Sequence, residues 1–170
     1  LSSLRVDAVT PALIQCLREG EERTVAIAPE AGSERLRKMM KKGYPEEEIL
    51  KSVDTLVENG ISQIKCYFLI GLPSETDDDV KEIVQLAKRI RHHILSGRKD
   101  GRKRWRLVLS VNPFIPKPAT PFQWASLEEV GELKKKLKMI QKGVKREEGV
   151  EMIHDLPKWA YVQALLSSGG

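Results

Sequence analysis

The chain has 170 residues, 41% hydrophobic and 31% charged, with 29 basic against 24 acidic side chains for a formal charge of +5. That balance excludes a disordered chain and fits one ordinary domain with enough apolar mass for a core. No apolar run approaches the roughly 18 residues of a membrane span and no secretory leader is recognisable, so the expectation is a cytoplasmic protein with no membrane partner.

In chain order, Leu4 to Val9 reads as a strand, and Thr10-Pro11 as the N-cap and first position of a helix with Leu13, Ile14 and Leu17 on one face. Thr24 to Ala28 is a second short strand. PEAGS follows, then a helix bearing Leu36, Met39 and Met40 with Gly43 as its expected stop. Pro45 restarts a helix with three glutamates in its first turn, suited to the positive end of the dipole, and Ile49, Val53, Leu56 and Val57 form its apolar face before Asn59-Gly60.

The segment Cys66 to Val80, CYFLIGLPSETDDDV, joins an apolar strand to a helix start. Ile64 to Ile70 is short and rich in β-branched and aromatic residues, as in a strand buried on both faces, and Thr76 with Asp79 reads as a capping box. Gly71 stands where a missing Cβ lets a ligand approach the backbone, or where it merely shapes a turn with Pro73. The next helix repeats Val80, Ile83, Val84, Ala87, Ile90 and Ile94 at helical spacing.

The charge excess sits in one place, GRKDGRKRWR at 97–106, with six basic residues and one acid. It reads as a solvated loop or a phosphate-binding patch, and Trp105 as a base-stacking ring or the opening of the next strand. Arg104 to Val111 is a fourth strand, and the proline-rich NPFIPKPATPFQW after it has the length of a functional loop. Ser126 and Glu129 suggest a second capping box, opening a helix with Val130, Leu133, Leu137, Ile140 and Val144 inward. Val150 to Ile153 and Pro157 to Leu166 read as a fifth strand and a terminal helix. Cys16 and Cys66 lack metal-ligand spacing and are expected to be buried thiols, and His92, His93 and His154 make no zinc pattern.

Five strand–helix alternations without hairpin signals predict parallel strands with helical crossovers, an α/β fold of the partial β/α-barrel kind. A complete eightfold barrel takes about 250 residues, so an arc of one is expected, with residues 1–125 as barrel units and 126–170 as a C-terminal helix, strand and helix. Ligands of such folds bind at the carboxyl ends of the strands, which makes the Gly71 junction the leading site.

Three stretches in this order, TVAIAPEAGSERLRKMMKKG, IKCYFLIGLPSETDDDV and SVNPFIPKPATPFQW, closely resemble the later strands of radical S-adenosylmethionine (SAM) enzymes, nearest to iron–sulfur oxidoreductases often associated with a cobalamin-binding domain. The resemblance implies a fragment of a partial (β/α)6 barrel. It also implies a parent enzyme in which a reduced 4Fe–4S cluster cleaves SAM to methionine and a 5′-deoxyadenosyl radical that abstracts substrate hydrogen. The CxxxCxxC loop of that family is absent, and Cys16 with Cys66 cannot replace three thiolates on one loop, so the cluster ligands are expected outside this chain and the fragment alone inactive. The absence of an initiating Met fits a piece of a longer protein.

Carried over from the family, Glu30 would meet the SAM ammonium and Lys42 its carboxylate. Tyr67 stands where relatives often carry an acid for the ribose, Gly71 with Ile70 would offer backbone to the adenine, and Pro113 and Phe114 would line its other side. Structural alternatives exist for each: Glu30 as a helix-start carboxylate, Lys42 as a dipole partner, Phe114 as a loop anchor. The substrate, a small molecule or an RNA, is not readable, and self-association through surface exposed by truncation is expected. Two other functions fit the residues alone: an RNA-interacting module built on 97–106, and a β/α-barrel lyase or aldolase using a strand-end lysine such as Lys65.

Overall fold

In the computed structural model, which describes residues 3–20, 22–97 and 105–167, four strands form one all-parallel sheet. Its order is the chain order: β1 (Thr24–Glu30), β2 (Gln63–Ile70), β3 (Arg106–Pro113) and β4 (Val150–His154). Helix α1 (Pro11–Glu19) precedes β1. Helices α2 (Glu34–Met39) and α3 (Glu46–Glu58) join β1 to β2, α4 (Asp77–Ser96) joins β2 to β3, α5 (Val130–Val144) joins β3 to β4, and α6 (Pro157–Ser167) follows. Parallel neighbours cannot be joined by a hairpin, and each crossover here contains a helix, as the alternating pattern predicts.

The core lies between the sheet and these helices. Ile64, Cys66, Phe68 and Ile70 of β2 are buried against Ile49, Val53 and Leu56 of α3 and Val80, Ile83, Ala87 and Ile90 of α4. On the other face of β2, Lys65, Tyr67 and Leu69 are only half-buried, which corrects the expectation of a strand buried on both faces. In β2 a strict alternation results, because residues of opposite parity face opposite sides of the sheet.

Four local readings change. Only Leu4 of the predicted first strand pairs, in a parallel bridge to Ile27, after which Val6–Ala8 tightens into a 3-10 turn. That turn drives Val6 into the core while Asp7 accepts a hydrogen bond from the Tyr44 hydroxyl at 3.1 Å. Helix α2 ends at Met39, not near Gly43: Lys41 takes a left-handed φ of 54°, and the Lys42 and Lys41 N–H groups donate back to the carbonyls of Arg37 and Lys38 in a Schellman arrangement. Ser126 and Glu129 form no capping box. Helix α5 begins at Val130 with Glu129 as an N-cap that makes no side-chain bond, while neighbouring Glu128 is drawn back onto Lys136. Cys16 is exposed on α1, whereas Cys66 is buried as expected.

Trp105 immediately precedes β3, and its ring lies where a Cβ on Gly149 would come within 2.5 Å. It therefore packs against the turn before β4. Most of the basic stretch 97–106 lies outside the described residues. No described helix is long and apolar enough to cross a membrane.

Candidate functional site at the strand carboxyl ends

Pairing register fixes what meets at the rim. Glu30 lies opposite Phe68, and Ile70 lies opposite Pro113, so β2 and β3 end level and β1 ends two residues lower beside them. Just past the strand ends, Ala31, Leu36, Leu72 and Phe114 form a small apolar cluster, separate from the main core, that ties the three strand ends together.

Glu30 ends β1 through a break in register after Ile27, with φ at 68°, in the left-handed region. A side chain with a Cβ pays about 1–2 kcal/mol for that conformation, and such strain collects where a side chain must be aimed. The Glu30 carboxylate accepts a hydrogen bond from the Lys42 ammonium at 3.0 Å, with the two side chains 20% and 31% exposed. Lys42 reaches it because the tight end of α2 turns the chain back toward β1.

The adenine-side candidates are more enclosed. Ile70 is fully buried on the helix side, and its carbonyl accepts the Phe114 N–H at 2.8 Å. Pro113 is buried at the end of β3, and Phe114 meets Phe122 edge to face with centroids 5.9 Å apart, anchoring the proline-rich loop. Gly71 has φ at 78°; its N–H donates to Glu75 Oε2 at 2.7 Å, and a Cβ there would lie 3.0 Å from both Glu128 Oε2 and Leu133 Cδ2. Tyr67 sits deeper along the half-buried face, with Lys65 Nζ over its ring at 4.7 Å. Thus Glu30 and Lys42 touch, and Ile70, Gly71, Pro113 and Phe114 adjoin through the β2–β3 pairing. Tyr67 stands below the second group, one position before Phe68, the partner of Glu30.

Two networks were not foreseen in the sequence. Asp79 is the hub of the first: it accepts from the Ser33 hydroxyl at 2.6 Å, from the Thr76 N–H at 2.9 Å and hydroxyl at 2.7 Å, and from the Arg35 guanidinium. Burial would raise the Asp79 pKa, but the bonds from Arg35, Ser33 and Thr76 outweigh it and hold the carboxyl well below the usual carboxylate range. Since Ser33 caps α2 and Thr76 caps α4, this one carboxylate staples the loop after β1 to the loop after β2. Gly32 allows the same approach: a Cβ there would stand 2.2 Å from the Ile83 nitrogen, so α4 rests directly on the glycine.

The second network is buried. Lys136 Nζ donates to Glu75 at 2.8 Å and to both oxygens of Glu128 at 2.7 and 2.8 Å. Burial raises the Glu75 pKa; at Lys136 burial pulls the other way, but the two carboxylates win and raise it. The spacing carried a signal, since Lys136 falls on the inward stripe of Leu133, Leu137 and Ile140. Arg37 is buried as well and donates to the carbonyls of Ala31, Gly32 and Tyr44, fixing the loop after β1.

Cys16 and Cys66 lie on different elements, and burial pushes the Cys66 thiol up to about 12, which disfavours the thiolate that iron binding needs. No group of three His, Cys, Asp or Glu suited to a metal occurs among the described residues.

A parallel sheet in chain order, with helical crossovers and a polar pair at its carboxyl rim, defines the class as a β/α barrel-type protein. The sequence pattern of the Radical SAM superfamily matches residues 2–87, and the chain belongs to that superfamily. It is 37% identical over 168 residues to an uncharacterised protein of Methanocaldococcus jannaschii, across 99% of this chain and 34% of that protein. It is also 32% identical over 97 residues to the threonylcarbamoyladenosine tRNA methylthiotransferase MtaB of Aquifex aeolicus, across 53% of this chain and 23% of that protein. A third relative, the tRNA-2-methylthio-N(6)-dimethylallyladenosine synthase of Desulforamulus reducens, is 35% identical over 69 residues, across 39% of this chain and 15% of that protein. The chain thus spans a third or less of the length of these relatives. The crystal structure of Streptococcus suis SuiB shares the fold at a TM-score of 0.58 and 9% identity, over 91% of this chain and 32% of that one. Family membership sets aside the aldolase reading of Lys65.

Proposed function

We propose that this chain supplies the SAM-binding rim of a radical SAM iron–sulfur enzyme. The observation that carries the reading is Glu30, held in a left-handed conformation at a strand end with its carboxylate against Lys42. An amino-acid moiety presents one ammonium and one carboxylate. Glu30 takes the ammonium, Lys42 takes the carboxylate, and each charged group exchanges one opposite charge for another at a site that is already partly desolvated. Ile70, Pro113 and Phe114 frame the adenine, Gly71 shapes the turn beside them, and Tyr67 offers a phenol to the ribose in place of an acid. When bound, a 4Fe–4S cluster would supply the electron for reductive cleavage of SAM. Its thiolates come from outside this chain, because the two cysteines here do not converge. The chain's own residues bind SAM, orient it and exclude water, and alone they are inactive. Cobalamin plays no part in this reading.

Glu30→Gln in the intact protein keeps the shape and removes the charge. SAM affinity measured by calorimetry is expected to weaken by about 1.5–3 kcal/mol, roughly ten- to a hundredfold, with little change in melting temperature. Unaltered affinity together with a large loss of thermal stability would make Glu30 a structural cap and end the proposal.

A second reading concerns the substrate. Two relatives are named for tRNA modification, and with the basic stretch 97–106 they favour RNA. Binding of tRNA that weakens steeply with salt checks it.

A further inference from the structure

We propose that Lys136 is a positioning residue for the SAM-binding rim, clamping α5 onto the Gly71 turn through Glu75 and Glu128. The inference rests on the SAM-binding reading above.

Both sides of Gly71 are occupied by this cluster. Its N–H donates to Glu75 Oε2 at 2.7 Å, and the same oxygen accepts from Lys136 Nζ at 2.8 Å. The side where a Cβ would project is filled by Glu128, whose two oxygens are gripped by the same ammonium, and by Leu133 of α5. The left-handed φ and the crowded Cβ direction therefore both require glycine, and what approaches its backbone there is Glu128.

The charges are costly where they stand. The side chains of Glu75 and Lys136 are 2% and 7% exposed, and two carboxylates share one ammonium. A buried ion pair seldom adds stability over apolar side chains of equal size, because desolvation cancels the attraction; its advantage is fixed geometry. Here the fixed object is the turn at the end of β2, which continues into Leu72 of the small rim cluster with Phe114. Glu128 and Lys136 lie beyond residues 2–87, the segment matched by the superfamily pattern. The rim is thus completed by a helix 61 positions further along the chain from Glu75.

The test uses the intact protein, SAM as the probe, and Lys136→Met, Lys136→Arg and Glu128→Gln. Calorimetry gives SAM affinity, thermal melts give stability, and hydrogen exchange of the peptide containing Gly71 reports the turn. Lys136→Met is expected to weaken SAM binding by about tenfold or more and to speed Gly71 exchange, while Lys136→Arg restores affinity to within about threefold of wild type. Glu128→Gln, on a partly exposed side chain, is expected to fold and to show a smaller loss of the same kind, and it decides the matter if Lys136→Met does not fold. Folded Lys136→Met and Glu128→Gln proteins that bind SAM as wild type does would overturn the clamp and leave the rim reading intact. A wild-type protein that binds no SAM would overturn both.

Discussion

Replacing Asp79 by Asn tests whether a single carboxylate holds the two rim loops together. The Asp79 side chain is 7% exposed and takes four donors: Ser33, the Thr76 N–H, the Thr76 hydroxyl and Arg35. Asparagine can still accept from Ser33 through its carbonyl oxygen, but its NH2 then faces the Thr76 donors and the guanidinium. The part-buried Thr76 N–H at the start of α4 loses its acceptor, and charge-assisted bonds become donor–donor contacts. The Arg35 pair adds little because Arg35 is half exposed. A lost cap costs about 1 kcal/mol and lost bonds to a buried charge about 1.5–3, overlapping in part, for a net loss of about 3 kcal/mol. In a chain of this size that lowers the melting temperature by about 6–12 °C. The pH dependence has a definite sign. The folded-state pKa is depressed, so the stabilisation by Asp79 is complete above the unfolded value of about 3.9 and fades as pH falls below it. Urea melts at pH 7 and pH 3 should therefore show a gap between wild type and Asp79→Asn that narrows at the lower pH. A gap below about 0.5 kcal/mol at pH 7, the ordinary range of surface substitutions, or one equal at both pH values, would refute the staple.

Three further outcomes follow from the packing. Gly32→Ala places a Cβ 2.2 Å from the Ile83 nitrogen, so α4 must move or the chain must unfold, and denaturant melts should show a loss of about 3 kcal/mol or more; a neutral Gly32→Ala would mean that the helix does not rest there. In the native chain a thiol reagent at pH 8 should modify exposed Cys16 quickly and buried Cys66, with its raised pKa, only on unfolding. Two fast thiols would contradict the burial of β2. Anaerobic reconstitution of the 170-residue chain with iron and sulfide should give no cluster absorption, since two separated cysteines cannot supply three thiolates. A brown protein with near-stoichiometric iron would disprove that.

Sequence alone determined what depends on local pattern. Periodicity marked strands at 24–28 and 64–70 and the buried faces of α3 and α4, because burial on one side of a regular element repeats with that element's own period. The Thr76–Asp79 capping box was legible because both partners lie within one turn. The order of strand–helix units implied parallel pairing, since crossovers leave no other choice, and the three ordered motifs pointed to the superfamily.

Tertiary structure decided whatever depends on partners distant in the chain. The residues from Leu4 to Val9 have a strand's composition, yet Asp7 reaches Tyr44 and only Leu4 pairs. Asp79 was readable as a cap but not as the acceptor for Ser33, 46 positions away, and Gly71 was readable as a special backbone position without any sign that Glu128 fills the space beside it. Glu30 stands out most clearly. Its type and place after a strand were visible from the start, but its left-handed backbone and its contact with Lys42 exist only because α2 ends early and turns the chain back to β1. Local sequence sets period and capping; the pairing of charges across loops waits on how the elements pack.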